Sequence, residues 1–196
     1  MVCTGQRFAE SWTDPGEMVG FFDLKGDLES LLALTGRPEH YVFEAEARPV
    51  LHPGQSARLT RKGQVAGFIG ALHPAVGVEL GLNAPLFLCE IDLAMLLAGE
   101  IPEFKELSKF PEIRRDIAIV VDNSVSAARM MDDVKMAAVT YLTDLTLFDV
   151  YTGKGIDPNR KSLGLGLTFR DQSRTLGDED VNLAVGQVID LLKKNY

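Results

Sequence analysis

The chain has 196 residues, 46% of them hydrophobic and 24% charged, with a formal net charge of −8. That length and mix suit one large or two small globular domains with a real core. No apolar run approaches the ~20 residues of a membrane-spanning helix, and Met1 to Phe8 has neither a charged leader nor a long apolar stretch, which predicts a cytoplasmic protein.

The acidic balance argues against nucleic-acid binding by bulk charge, but it is unevenly spread. Residues 1–104 carry 7 basic and 14 acidic side chains, whereas residues 105–196 carry 13 and 14. Any phosphate contact is therefore expected in the second half.

In chain order, Leu24, Leu28, Leu31 and Leu32 repeat at helical spacing and Gly36 follows, which predicts a helix over 22–35 with a glycine stop. After Pro38 the pattern turns to strands: Tyr41 to Ala47, Ala57 to Arg61 and Gln64 to Leu72, with Arg61-Lys62-Gly63-Gln64 as a hairpin turn. Pro74 suits the first turn of a short helix, and Leu86 to Ile91 reads as a buried strand. Cys3 and Cys89 lie far apart in apolar, strand-like contexts, which predicts reduced, buried thiols and no disulfide framework. The first half is expected to be an antiparallel sheet with attendant helices.

Around Glu100 to Pro111 the periodicity is lost and two prolines flank a charged stretch, so a linker is expected there, dividing the chain into domains at 1–102 and 103–196. Beyond it, Asp116 to Val121 reads as a strand. Ser124 is expected to cap a helix whose apolar face is Ala127, Met131, Val134 and Ala138. Leu145 to Tyr151 and Lys161 to Phe169 read as two more strands. Thr175-Leu-Gly-Asp178 is a capping-box-like start to a helix carrying Val181, Ala184, Val185, Val188 and Leu192. The order β, α, β, β, α is that of a ferredoxin-like plait without its last strand. The fold class expected for the whole is α+β. The first strand of such a plait would keep an unpaired edge, so some self-association is expected in a sedimentation series.

Few motifs carry chemistry. Gly164-Leu-Gly166-Leu-Thr-Phe-Arg170 matches the GxGxxxR pattern with which class II synthetases grip ATP, but its glycines alternate with leucines as on one strand face, without the strand-to-helix context the pattern needs. No P-loop, zinc-type cluster or serine elbow is spaced in the sequence, so no catalytic and no metal-ligating residue is assigned. His40, His52 and His73 each neighbour a proline turn and read as surface or capping histidines.

Alternation in the second half is more informative. Ile117, Ile119, Val121, Leu163, Leu165 and Leu167 should face the helices. The opposite face then shows Asp116, Ala118, Ser162, Gly164, Gly166, Thr168 and Arg170, and, if Phe148 and Val150 point inward, Asp149 and Tyr151 as well. One aromatic among small neighbours, flanked by Lys154, Arg160, Lys161 and Arg170, forms a platform on which a base could stack. Alternation alone does not separate this from a solvated face or an interdomain contact.

Three segments in order, Phe22-Asp-Leu-Lys-Gly-Asp-Leu-Glu-Ser-Leu-Leu32, Leu51-His-Pro-Gly-Gln-Ser-Ala57 and Gly67-Phe-Ile-Gly-Ala-Leu-His-Pro74, resemble the catalytic-like module of bacterial phenylalanyl-tRNA synthetase beta subunits. In the second half, Phe110-Pro111 with Arg114-Arg-Asp-Ile-Ala-Ile119, Leu147-Phe-Asp-Val-Tyr151, Lys161-Ser162 and Ser173-Arg-Thr-Leu176 resemble the ferredoxin-fold anticodon-binding domain of the same family. The resemblance implies a class II synthetase-like but catalytically inactive module followed by an anticodon-binding domain. It also implies an enzyme with an (αβ)2 architecture that joins phenylalanine to its tRNA with ATP and Mg2+ on the alpha subunit, none of these cofactors being held by this chain. The family's dimer-forming helix, editing region and metal-binding region are not in this sequence.

Carried over position by position, the resemblance implies an anticodon-binding set of Ala118, Asp149 and Tyr151, with Arg115, Lys154, Arg160, Lys161, Ser162 and Arg170 as candidate RNA contacts. The main alternative is a ferredoxin-like regulatory domain that binds a small amino acid, fused to an unrelated antiparallel module. A catalytically active class II core is a further one, and it would need a true strand-to-helix GxGxxxR.

Overall fold

The computed structural model describes residues 1–13, 16–99, 101 and 108–196. Most of the expected linker, residues 100 and 102–107, lies outside the described residues. The chain divides into two compact units, Met1–Phe104 and Lys105–Tyr196, both of mixed α+β structure with antiparallel sheets.

The first unit contains strands β1 (Val2–Thr4), β2 (Tyr41–Ala45), β3 (Leu51–Arg61), β4 (Gln64–Leu72) and β5 (Leu86–Ile91), and helices α1 (Phe21–Ala33), α2 (Pro74–Glu79) and α3 (Leu93–Leu97). Its sheet has the order β1-β5-β4-β3-β2, antiparallel throughout. The leucine stripe of α1 does what its spacing requires: Leu24, Leu28 and Leu32 are buried against Tyr41, Leu59, Ile69, Phe87 and Cys89 of the sheet. Asp23 closes the start of α1 by accepting from the Gly20 N–H at 2.7 Å. The β3–β4 turn has positive φ at both central residues, Lys62 (49°) and Gly63 (80°), the mirror-image turn that matches strand twist.

Two strand boundaries of this unit differ from those expected. Strand β3 starts at Leu51 and not at Ala57, because Leu51 already pairs with Leu72, and the His-Pro-Gly-Gln stretch before Ser56 is accommodated as an irregularity in the pairing. Strand β2 ends at Ala45.

The second unit contains β6 (Ile113–Asp122), α4 (Ala127–Met136), β7 (Leu142–Tyr151), β8 (Arg160–Phe169) and α5 (Asp178–Asn195). The sheet order is β6-β8-β7, antiparallel, with β8 central. Leu163, Leu165, Leu167 and Phe169 of β8 are fully buried with Met130 and Val134 of α4 and Val181, Ala184, Val188 and Leu192 of α5. Both helices therefore cover one face of the sheet.

The caps are not those expected. Ser126, not Ser124, caps α4, its hydroxyl accepting from the Arg129 N–H at 3.4 Å. Ser124 is engaged with Asp122 Oδ1 through its N–H (2.8 Å) and hydroxyl (2.6 Å), a local turn that competes with capping. With the helix starting later, Met130 and Val134 are its buried residues, while Ala138 lies past its end in the left-handed region (φ 47°). Helix α5 starts from Gly177, whose N–H donates to Asp180 Oδ2 at 3.0 Å, and not from Thr175. Leu176 just before the cap and Val181 in the first turn are both buried in the same core, a hydrophobic staple.

Candidate nucleic-acid interface

The side of the β6-β8-β7 sheet away from α4 and α5 is built by alternation along β8. With the leucines inward, Ser162, Gly164, Gly166 and Thr168 belong to the other face, the two glycines buried beneath neighbouring side chains. Register then sets the rows: Ala118–Gly164–Asp149 is one, Val120–Ser162–Tyr151 the next, and Asp116–Gly166–Thr146 lies on the other side. Ala118, Asp149 and Tyr151 are thus brought together on one face, with Ser162 between the strands.

They arrive there by a route that simple alternation misses. On β7, Leu145 is buried and Leu147 is packed against the same core, so unbroken alternation would drive Asp149 and Tyr151 inward as well. A bulge between Leu147 and Asp149 resets the phase. Phe148, expected inward, is 51% exposed on the outer face. A Cβ at Gly164 would lie 2.9 Å from its Cε2 atom and 3.1 Å from the Asp149 Cβ. Both side chains therefore lie over that glycine. Val150 is aligned with Leu163 but stays exposed.

Tyr151 is held by its own turn. Its hydroxyl donates to the Lys154 carbonyl at 3.2 Å, and the phenol end of the ring rests on Gly153, where a Cβ would come within 2.5 Å of the hydroxyl. The ring is still 45% exposed. Arg114 was not singled out from the sequence. Its Nε donates to Asp116 Oδ1 at 2.9 Å, its guanidinium lies 5.5 Å from the Phe148 ring centroid, and it covers Gly166. The signal was available, since Arg114 is two residues before Asp116 and therefore shares its face.

The candidate cations separate into groups. Lys154 is exposed in the turn after β7 and Arg160 opens β8, donating to the Val120 carbonyl at 3.3 Å, so both flank the Tyr151 end of the face with Ser162. Lys161 is at the same end but alternates with Ser162, and its Nζ donates to the Asn123 carbonyl at 3.0 Å. The Asp122 carboxyl nearby is held below its usual range by the two Ser124 hydrogen bonds, with Arg160 and Lys161 adding to the effect. Arg115 is on the helix side, paired with Asp178 at 2.7 Å. Arg170 is paired with Glu112, eight residues along β8 from Ser162, about 26 Å away. The structure does not bring Arg115 or Arg170 to the Ala118, Asp149 and Tyr151 cluster.

Residues 108–196 match the family described as the ferredoxin-fold anticodon binding domain, and residues 1–93 match the phenylalanyl tRNA synthetase beta chain CLM domain. The chain is 46% identical over 194 residues to a phenylalanine–tRNA ligase beta subunit of Pseudomonas syringae pv. tomato, 45% over 193 residues to that of Pseudomonas putida, and 44% over 195 residues to that of Pasteurella multocida. These alignments cover 98 to 100% of this chain. The chain belongs to the phenylalanyl-tRNA synthetase beta-chain family. It spans 24% of the length of these relatives. A regulatory amino-acid-binding module finds no support in these matches.

In the unit that matches the CLM domain, two of the three histidines hold local backbone. His73 Nδ1 accepts from the Ala75 N–H at 3.2 Å and caps α2, and His52 Nδ1 accepts from the Gly54 N–H at 3.1 Å. Both line an open cleft of about 430 Å3 with Leu82, Pro85 and Phe87. Cys89 is buried and Cys3 half-buried, both as free thiols, and burial raises the pKa of each. The GxGxxxR stretch lies in β8 and the residues beyond it, and the next helix, α5, opens only at Asp178. The pattern here is a strand that needs small residues under Phe148 and Arg114. Among the described residues no helix is long and apolar enough to cross a membrane.

Proposed function

We propose that this chain is a non-catalytic, tRNA-binding and scaffolding portion of a phenylalanyl-tRNA synthetase beta subunit, in which residues 1–102 form the catalytic-like module and residues 103–196 contact the anticodon of phenylalanine tRNA. The observation that carries the reading is the cluster of Tyr151, Asp149 and Ala118 on the uncovered sheet face of a unit that belongs with anticodon-binding domains. An exposed phenol offers a stacking surface. Beside it, the Asp149 carboxylate accepts only, which suits a base edge with adjacent N–H donors, as guanine has. Ala118, exposed and with no side chain beyond Cβ, keeps the floor beside them low enough for a base to approach. Lys154, Arg160 and Lys161 supply positive charge for the backbone phosphates at that end.

The enzyme would attach phenylalanine to tRNA in the cytoplasm as an (αβ)2 heterotetramer, with the aminoacylation site, ATP and Mg2+ on the alpha subunit. This chain's share is to bind and orient the RNA. The test is binding of the chain to the anticodon stem-loop of a phenylalanine tRNA at low salt, beside a stem-loop whose first anticodon base is replaced by adenine. The replacement should weaken binding by about 1 to 3 kcal/mol. Equal affinity for the two would remove Asp149 from base recognition.

A further inference from the structure

The β7 bulge leaves a second aromatic, Phe148, on the same face as Tyr151. Phe148 lies over Gly164, half-exposed, with the Arg114 guanidinium 5.5 Å from its ring centroid. Arg114 spends its Nε on Asp116, and its Nη2 lies over Gly166, where a Cβ would come within 2.6 Å of it. Side chains at 164 and 166 would force both groups off the sheet. The two glycines, the ring and the guanidinium thus form a shallow shelf continuous with the Tyr151 cluster, and Asp149 borders both.

We propose that Phe148 and Arg114 seat the nucleotide adjoining the one that stacks on Tyr151, so that the sheet holds two successive bases of the anticodon loop. The inference rests on the anticodon reading above. The rows through Gly164 and Ser162 are two residues apart on β8, about 7 Å. That is roughly twice the ~3.4 Å rise per nucleotide of a stacked strand, so two neighbouring bases reach both seats only when splayed apart, the state in which sheet surfaces read single-stranded RNA. The ring supplies a π face, the guanidinium stacks as a plane beside it, and its terminal amino groups suit a phosphate or a base carbonyl. Asp116 holds Arg114 across the shelf in place of a random coil of rotamers.

The experiment uses the full chain and the phenylalanine anticodon stem-loop with 2-aminopurine placed singly at each anticodon position. The native chain should change the fluorescence at two adjacent positions. Tyr151→Ala should abolish the change at one of them, and Phe148→Ala and Phe148→Leu at its neighbour, with affinity for Phe148→Ala falling at least about 5-fold. Phe148→Leu keeps an apolar cover over Gly164, and a thermal transition at the native temperature shows that it is folded. If Phe148→Leu keeps both the affinity and the two-position signal while Tyr151→Ala loses its own, Phe148 merely covers the sheet and the second seat is wrong, with the Tyr151 reading intact. If the native chain does not bind the stem-loop, both readings fall.

Discussion

At the scale of single residues, the carboxylates Asp122, Asp171 and Asp180 of the second unit are lowered first of all by hydrogen bonds. Asp180 is the clearest. Both its oxygens pair with the Arg174 guanidinium, at 2.7 and 2.9 Å, and one also accepts from the Gly177 N–H, so its pKa falls to about 2. The lowered value means that the contribution is full above the unfolded value of ~3.9 and is lost as pH falls through the folded one. Asp180→Asn keeps an acceptor for Gly177 and removes the charge. Its melting temperature should lie below that of the native chain from pH 6 to about pH 4 and converge with it towards about pH 2. The gap should narrow at high salt, because the pair is solvent-accessible. A gap independent of pH would show that the charge adds nothing at this position.

At the scale of elements, close approach of backbones decides what the strands tolerate. At Gly67 in β4 a Cβ would sit 2.1 Å from the Glu90 carbonyl oxygen and 2.9 Å from the Ile91 Cα of β5. Backbone cannot step aside as a side-chain tip can. Gly67→Ala should therefore destabilise the first unit by about 3 kcal/mol or more in a denaturant titration, at the upper end of overpacking effects; a loss under about 1 kcal/mol would mean the two strands separate without cost.

Helices α1 and α5 and the β3–β4 hairpin were legible in the sequence, because a 3.6-residue stripe and a Lys-Gly turn are local signals that tertiary structure did not override. The caps at Ser126 and Gly177 were not, since Asp122 claims Ser124 and Asp180 reaches back to Gly177. The β7 bulge was beyond alternation altogether. It exists because Leu147 and Asp149 must face opposite sides of β8, a demand of pairing that one strand's sequence does not express. Hence Phe148 was expected inward, whereas Arg114 on β6 was readable from its spacing to Asp116.

At the scale of the whole molecule, the charge is segregated along the chain: the acidic excess lies in the first half and the second is near balance. Affinity for RNA should therefore come from a few positioned contacts and respond weakly to salt. With Lys154, Arg160 and Lys161 as the phosphate contacts, log affinity against log salt should fall with a slope of about −2, and each alanine variant should reduce it by about 0.7. A slope steeper than about −5 would place most phosphate contacts elsewhere.

On the proposed reading, the exposed face of the second unit stacks an anticodon base on Tyr151. The most direct measurement compares the native chain with Tyr151→Ala for binding to the phenylalanine anticodon stem-loop at low salt. A loss of about 1 to 3 kcal/mol, one base stack, is the expected result. Equal binding by the two proteins would contradict the assignment of this face.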